Sequence, residues 1–179
     1  MWRKIVQSTY RRKSLQRELA ADEPHLPTGD QRVMFFIGSL AHIWGSIEAL
    51  LDDWVEDIHG RGGAELIQAQ LPPNLDRELD YLTSALKMEL VPQTHREEAA
   101  ALILRLHRIK GFRHTLIHGS LVEVLDGGKR VIVDHSRVRG SRRIRTRVTF
   151  MRPQMLRHYE RALALLRDLS IFLTGKDLT

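Results

Sequence analysis

The sequence contains no cysteine. Structural disulfides, thiolate metal sites and a cysteine nucleophile are thereby excluded. Long apolar runs are also missing, and a stretch such as 33–37 falls far below the roughly 20 residues that a bilayer crossing needs. The first twenty positions scatter charge throughout and lack the apolar block of a signal peptide. These absences predict a soluble, cytoplasmic protein without a membrane partner. Acidic residues are outnumbered, 22 against 28 Lys+Arg, for a formal net charge of +6 and a pI near 10.0. At 179 residues the chain is sized for one compact core rather than two marginal ones.

The basic excess is mostly arginine. Arg3, Lys4, Arg11, Arg12, Lys13 and Arg17 crowd the N-terminus, and Arg137, Arg139, Arg142, Arg143, Arg145 and Arg147 crowd one later stretch. Arginine's planar fork matches phosphate oxygens bidentately, so such stretches point to an anionic polymer as partner. The competing reading is a solvated face that happens to use arginine.

Residues 2–20 fit a short basic helix, broken by Pro24, Pro27 and Gly29. Residues 1–29 are therefore expected to be an N-terminal helix and linker, and 30–179 a single domain. From Asp30, a candidate N-cap, Val33, Phe36, Ile37, Leu40, Ile43, Trp44, Ile47, Leu51, Trp54 and Ile58 recur at helical spacing. Gly60–Arg61–Gly62–Gly63 closes that helix, and a weaker helical stretch runs to Gln70. Leu75, Leu79, Leu82 and Leu86 mark the next helix, to about Glu89. Thr94 with Glu97 has the pattern of a capping box for a third, running towards Gly119. The period then changes from 3.6 to 2. Leu121, Val122, Val124 and Leu125, then Asp126–Gly127–Gly128, then Val131, Ile132 and Val133 predict a hairpin. Alternation from Ile144 to Phe150 predicts a third strand with one apolar and one cationic face. Pro153 suits the first turn of a final helix. The expected fold is mainly α: a bundle of four to five helices with a small antiparallel hairpin or three-stranded insertion at about 120–150, before the last helix.

One residue breaks the pattern of the third helix. At about 100° per residue, Arg113 projects into the arc of Leu102, Leu106, Ile109 and Leu116. A cation there must meet a carboxylate or an anionic ligand. Glu48, at the edge of the first helix's apolar stripe, is the candidate carboxylate. Two readings stand: a structural Arg113–Glu48 bridge, or a half-buried cation presented to phosphate. His107, His114 and His118 share another arc, about 100–140° round from Arg113. A metal pair at His114 and His118, a solvated histidine face, and acid–base chemistry on RNA are the alternatives. A second Arg-x4-His spacing, Arg130 to His135, falls on the predicted hairpin.

The segment Arg113-His114-Thr115-Leu116-Ile117-His118-Gly119 resembles the signature of the HEPN (higher eukaryotes and prokaryotes nucleotide-binding) domain family: arginine, a polar residue, then histidine four to six positions after the arginine, late in a bundle helix. The resemblance implies a metal-independent endoribonuclease, without cofactor, of the kind found in toxin–antitoxin and antiviral systems. It implies that Arg113 binds the scissile phosphate, that His118 is the general acid or base, that His114 orients the phosphate or its partner histidine, and that Glu48 positions Arg113. It further implies an RNA substrate, 2′,3′-cyclic phosphate products, an antitoxin or regulatory partner, and a homodimer. The small-residue track Gly38, Ala41, Gly45 and Ala49 suits close helix contact in such a dimer, or equally a packing seam within one chain. Where one branch of the family carries a tyrosine that its antitoxin modifies, this chain has Ser120. Arg142, Arg143, Arg145 and Arg147 are the candidate contacts to the RNA backbone. The alternative function is a non-catalytic member that binds nucleic acid or nucleotide, or serves oligomerisation.

Overall fold

The structure is a computed structural model, and it describes residues 29–61, 63–139 and 142–175. The basic segment expected to form an N-terminal helix lies outside the described residues. Among the described residues four α-helices and three strands run in the order α1 (Gly29–His59), α2 (Leu75–Lys87), α3 (Arg96–His118), β1 (Ser120–Leu125), β2 (Arg130–Arg139), β3 (Arg142–Met151) and α4 (Arg152–Thr174). The chain is thus mainly α, a helical bundle with a three-stranded antiparallel sheet inserted before the last helix.

By length and composition α1 could cross a bilayer. Its apolar stripe is instead committed to the bundle: Leu40, Ile47, Leu51, Trp54 and Ile58 are fully buried. They meet Leu79 and Leu82 of α2, Leu102 and Leu106 of α3, and Leu165 and Leu169 of α4 in one continuous core. Trp54 packs edge-on against Phe172 of α4, ring centres 5.0 Å apart. The small-residue track is not a seam inside this chain. Gly38, Gly45 and Ala49 are exposed, and a side chain built at either glycine would meet nothing within 4 Å.

Two local expectations are corrected. The weak helix expected up to Gln70 is only a 3-10 turn, Ala64–Leu66. The Thr94–Glu97 capping box does not form, because Thr94 is taken into a 3-10 turn, Gln93–His95, and α3 starts one residue beyond it with His95 as an N-cap that makes no side-chain bond. The real side-chain cap is at α2, where Asn74 accepts from the Arg77 amide at 3.2 Å. Pro153 lies in the first turn of α4, and Gln154 there accepts from the Met151 amide at 3.0 Å.

The hairpin turn uses three successive residues in the left-handed region, Asp126 (φ 52°), Gly127 (φ 63°) and Gly128 (φ 87°), which is why two are glycines. Antiparallel register pairs Val131 with Phe150, Val133 with Val148 and His135 with Thr146. Val131, Val133 and Phe150 on this face are buried in the bundle core. Arg143, Arg145 and Arg147 alternate onto the opposite, exposed face.

Candidate active site

A cleft of about 720 Å³ opens where α1, α2 and α3 meet. Arg113, His114, His118 and Lys110 of α3 line it, with Glu48 and Asp52 of α1 and Asn74, Asp76 and Glu78 at the start of α2. On an ideal helix Arg113 and His118 diverge by about 140°. Both residues nevertheless line the same cleft within one chain.

Arg113 is paired but not sealed. Its Nη2 forms an ion pair with Glu48 Oε1, and the side chains keep 17% and 31% of their exposure. Its Nε is buried without a hydrogen-bond partner. A guanidinium carries five N–H donors, so the Glu48 contact leaves others for an oxyanion. Both readings of Arg113 therefore meet in one geometry: the bridge exists, and it stands on the wall of a cleft.

The histidines divide. His114 and His118 have ring centres 5.4 Å apart, and His135 of β2 meets His114 edge-on at 4.7 Å. His107 does not line the cleft. His135 sits on the buried face of β2 that also carries Val131 and Val133, and its Nε2 has no hydrogen-bond partner. Among the described residues no group of three or more His, Asp or Glu side chains is placed to hold a metal, so the His114–His118 metal pair finds no further ligand. Burial first, then the neighbouring His135 and His118 and the Arg113 charge, push His114 below the ordinary histidine value. Its surroundings thus favour the neutral imidazole. An NMR titration of its Cε1 proton is expected to give a midpoint below that of a histidine in an unstructured peptide; a midpoint at or above it would contradict the packing just described.

Of the acids on this wall the sequence pattern singles out Glu48, but not Asp52, Asp76 or Glu78. Glu78 is only 6% exposed, and its Oε2 accepts from no donor. Burial first, then Asp52 and Glu48, raise its pKa to about 7, with Arg113 opposing and a hydrogen bond to Asp52 favouring the protonated form. Lys110 meets Asp76 at 2.6 Å across the cleft mouth and holds that carboxyl below the usual range.

The four strand arginines stand apart from this site. Arg142, Arg143, Arg145 and Arg147 are exposed, and none lines the cleft. Arg147 is engaged by Asp134, its register partner, through Nε–Oδ1 at 2.7 Å and Nη2–Oδ2 at 2.9 Å. Arg130, of the second Arg-x4-His spacing, is held by Asp126 at 2.6 Å. Comparison of the chain with family models, with characterised proteins and with solved structures finds no match.

Proposed function

We propose that this protein is a metal-independent endoribonuclease of the HEPN type. The observation that carries the reading is the meeting of Arg113, His114 and His118 in one cleft, with Glu48 gripping one edge of the guanidinium. A phosphodiester seated against Arg113 gains a fixed cationic partner for the charge that builds on its oxygens. The ribose 2′-oxygen attacks phosphorus as an imidazole takes its proton, and the P–O5′ bond breaks as a proton reaches O5′. The products are a 2′,3′-cyclic phosphate and a 5′-hydroxyl. His118 and His114 are the two imidazoles at the cleft that can take and give these protons. Glu48 positions Arg113. The track of exposed Gly38, Gly45 and Ala49 with half-buried Ala41, continued by exposed Met34 on the same face, is the surface we assign to homodimer contact.

The test is RNA cleavage by the purified chain in EDTA. Cleavage is expected to persist, and to fall by about 10²–10⁴ in His118→Ala. Arg113→Lys keeps the charge but loses the planar fork, and is expected to lose a comparable factor. Thermal melts of both variants check folding. Wild-type rates in both folded variants would overturn the reading.

The outward placement of Arg143 and Arg145, on the sheet face opposite its buried side, favours a second reading in which the protein binds nucleic acid without cutting it. That reading requires salt-dependent binding, lost in Arg143→Ala/Arg145→Ala and indifferent to His118→Ala, with no product formed.

A further inference from the structure

The cleft by itself does not draw in a polyanion. Its two fixed cations, Arg113 and Lys110, are matched by Glu48 and Asp76, and Asp52 and Glu78 share the same walls. Unmatched positive charge lies instead on the other flank of α3, where that helix runs beside α4. Two contacts join the pair. Arg105 Nη1 meets Asp168 Oδ2 at 2.9 Å, and the imidazole of His158 stacks flat on Phe112, ring centres 3.8 Å apart and planes 10° apart. Arg105, Arg108 and Phe112 are three and four residues apart, so Arg108 rises on the flank of α3 that faces α4. Arg157, Arg161 and Asp168 are four and seven apart and form the matching stripe of α4. Arg108, Arg157 and Arg161 thus border one groove, with the His158–Phe112 pair in its floor.

All three arginines are exposed, and among the described residues no carboxylate forms an ion pair with any of them, Glu160 of the same turn included. Asp168, at the end of the groove, is taken by Arg105 and Arg167. Like charges four apart on a helix, as at Arg157 and Arg161, repel. His158 registers the same imbalance. Burial first, then Arg161 and Arg157, push it below the ordinary histidine value, and both charges that act on it are cationic. An anion from outside completes such a cluster, and the planar guanidinium fork fits phosphate. Between groove and cleft α3 presents Gly111, which is exposed, lines the cleft and has open space where a side chain would be. A chain can cross the helix there close to its backbone.

We infer that the α3–α4 groove is a second RNA-binding surface, in which Arg108, Arg157 and Arg161 hold the backbone phosphates of a single strand that crosses α3 at Gly111 into the cleft. Contacts of this kind position a strand without reading its bases. The inference rests on the ribonuclease reading only for where the strand is cut.

Fluorescence anisotropy of the full chain with a labelled single strand of 2′-O-methyl RNA, which has no free 2′-hydroxyl to attack, reads binding apart from cleavage. Arg108→Ala/Arg157→Ala/Arg161→Ala is expected to bind about tenfold or more weakly at low salt. Its slope of log affinity against log salt should shrink by about 2, the share of three phosphate contacts on a single strand. A control that removes as much charge from other exposed positions, Arg32→Ala/Arg77→Ala/Lys87→Ala, should bind as wild type. In the wild-type chain the NMR titration midpoint of the His158 Cε1 proton should rise when the strand is added, because phosphate in the groove favours the imidazolium. Equal loss in the control, an unchanged slope in the groove variant, loss confined to Arg143→Ala/Arg145→Ala, or a His158 midpoint that stays put would each overturn the inference. Groove-dependent binding by a chain that cleaves no RNA would leave the surface standing and remove the nuclease. Cleavage by a chain whose groove variant binds and cuts as wild type would do the reverse.

Discussion

Glu78→Gln should make the protein more stable at pH 8, by about 2–3 kcal/mol, and leave stability nearly unchanged at pH 4. The sign follows from the direction of the shift. In the unfolded chain Glu78 releases its proton near 4.5, and in the fold near 7. Between those values the folded state binds the extra proton, so the stability Glu78 contributes is fully present below 4.5 and is lost as pH rises through 7. A shift of about two and a half units corresponds to about 3 kcal/mol at 1.36 kcal/mol per unit. Glutamine removes the charge and with it the dependence. Urea denaturation of both proteins across pH 4–8 reads the effect as a wild-type curve that declines with pH and a variant curve that is flatter. Parallel curves would mean that Glu78 is not desolvated as described. A carboxylate that costs the fold this much at neutral pH is the kind of residue that function, rather than stability, retains.

The second large effect runs the other way. Gly119→Ala is expected to destabilise the chain by about 3 kcal/mol, at the upper end of overpacking. Gly119 has an ordinary φ of −80°, so its conformation does not demand glycine. Space does. A methyl group there would land inside the contact distance of Val133 Cγ1 and of the Thr115 carbonyl oxygen, with the Asp134 carbonyl oxygen 3.3 Å away. Two of these three obstacles are backbone atoms, and the third belongs to a buried strand, so none can swing aside cheaply. Chemical denaturation measures the loss, and a change below about 1 kcal/mol would show that the helix–strand junction relaxes freely. Because Val133 is two residues from His135 on the same face of β2, the imidazole cluster should shift with it.

Much of this architecture was legible in the chain because it rests on local periods. The change from helical spacing to alternation at Leu121, the Asp126–Gly127–Gly128 turn and Pro153 each fix an element through backbone geometry alone. The Arg113–Glu48 meeting was also within reach, since each residue breaks or borders an apolar stripe and opposite charges on facing helices seek each other. Glu78 and Asp52 were not. At the start of α2, Glu78 reads as an acidic residue complementing the helix N-terminus, and Asp52 as one of several acids on α1. Only the packing of the helices brings the exposed Asp52 beside the buried Glu78. The sequence marks His135 only as the end of a second Arg-x4-His spacing, and its place beside His114 is hidden for a similar reason. Its alternation with Val131 and Val133 indicates an inward side chain, but its proximity to His114 depends on how the sheet lies against α3. Thr94 and Glu97 mislead in the opposite sense, for a capping box is undone when a 3-10 turn displaces the helix start by one residue.

A single residue, Gly119, separates His118 at the end of α3 from the first residue of β1. With no linker between them, helix terminus and sheet behave as one lever whose fulcrum is that crowded glycine. His118 is thus joined directly to the sheet that carries the outer arginines, whereas Arg113 lies a turn and more deeper in the helix and is paired with Glu48 of α1. The two halves of the site are therefore mechanically unequal, one anchored to the bundle and the other riding on the sheet.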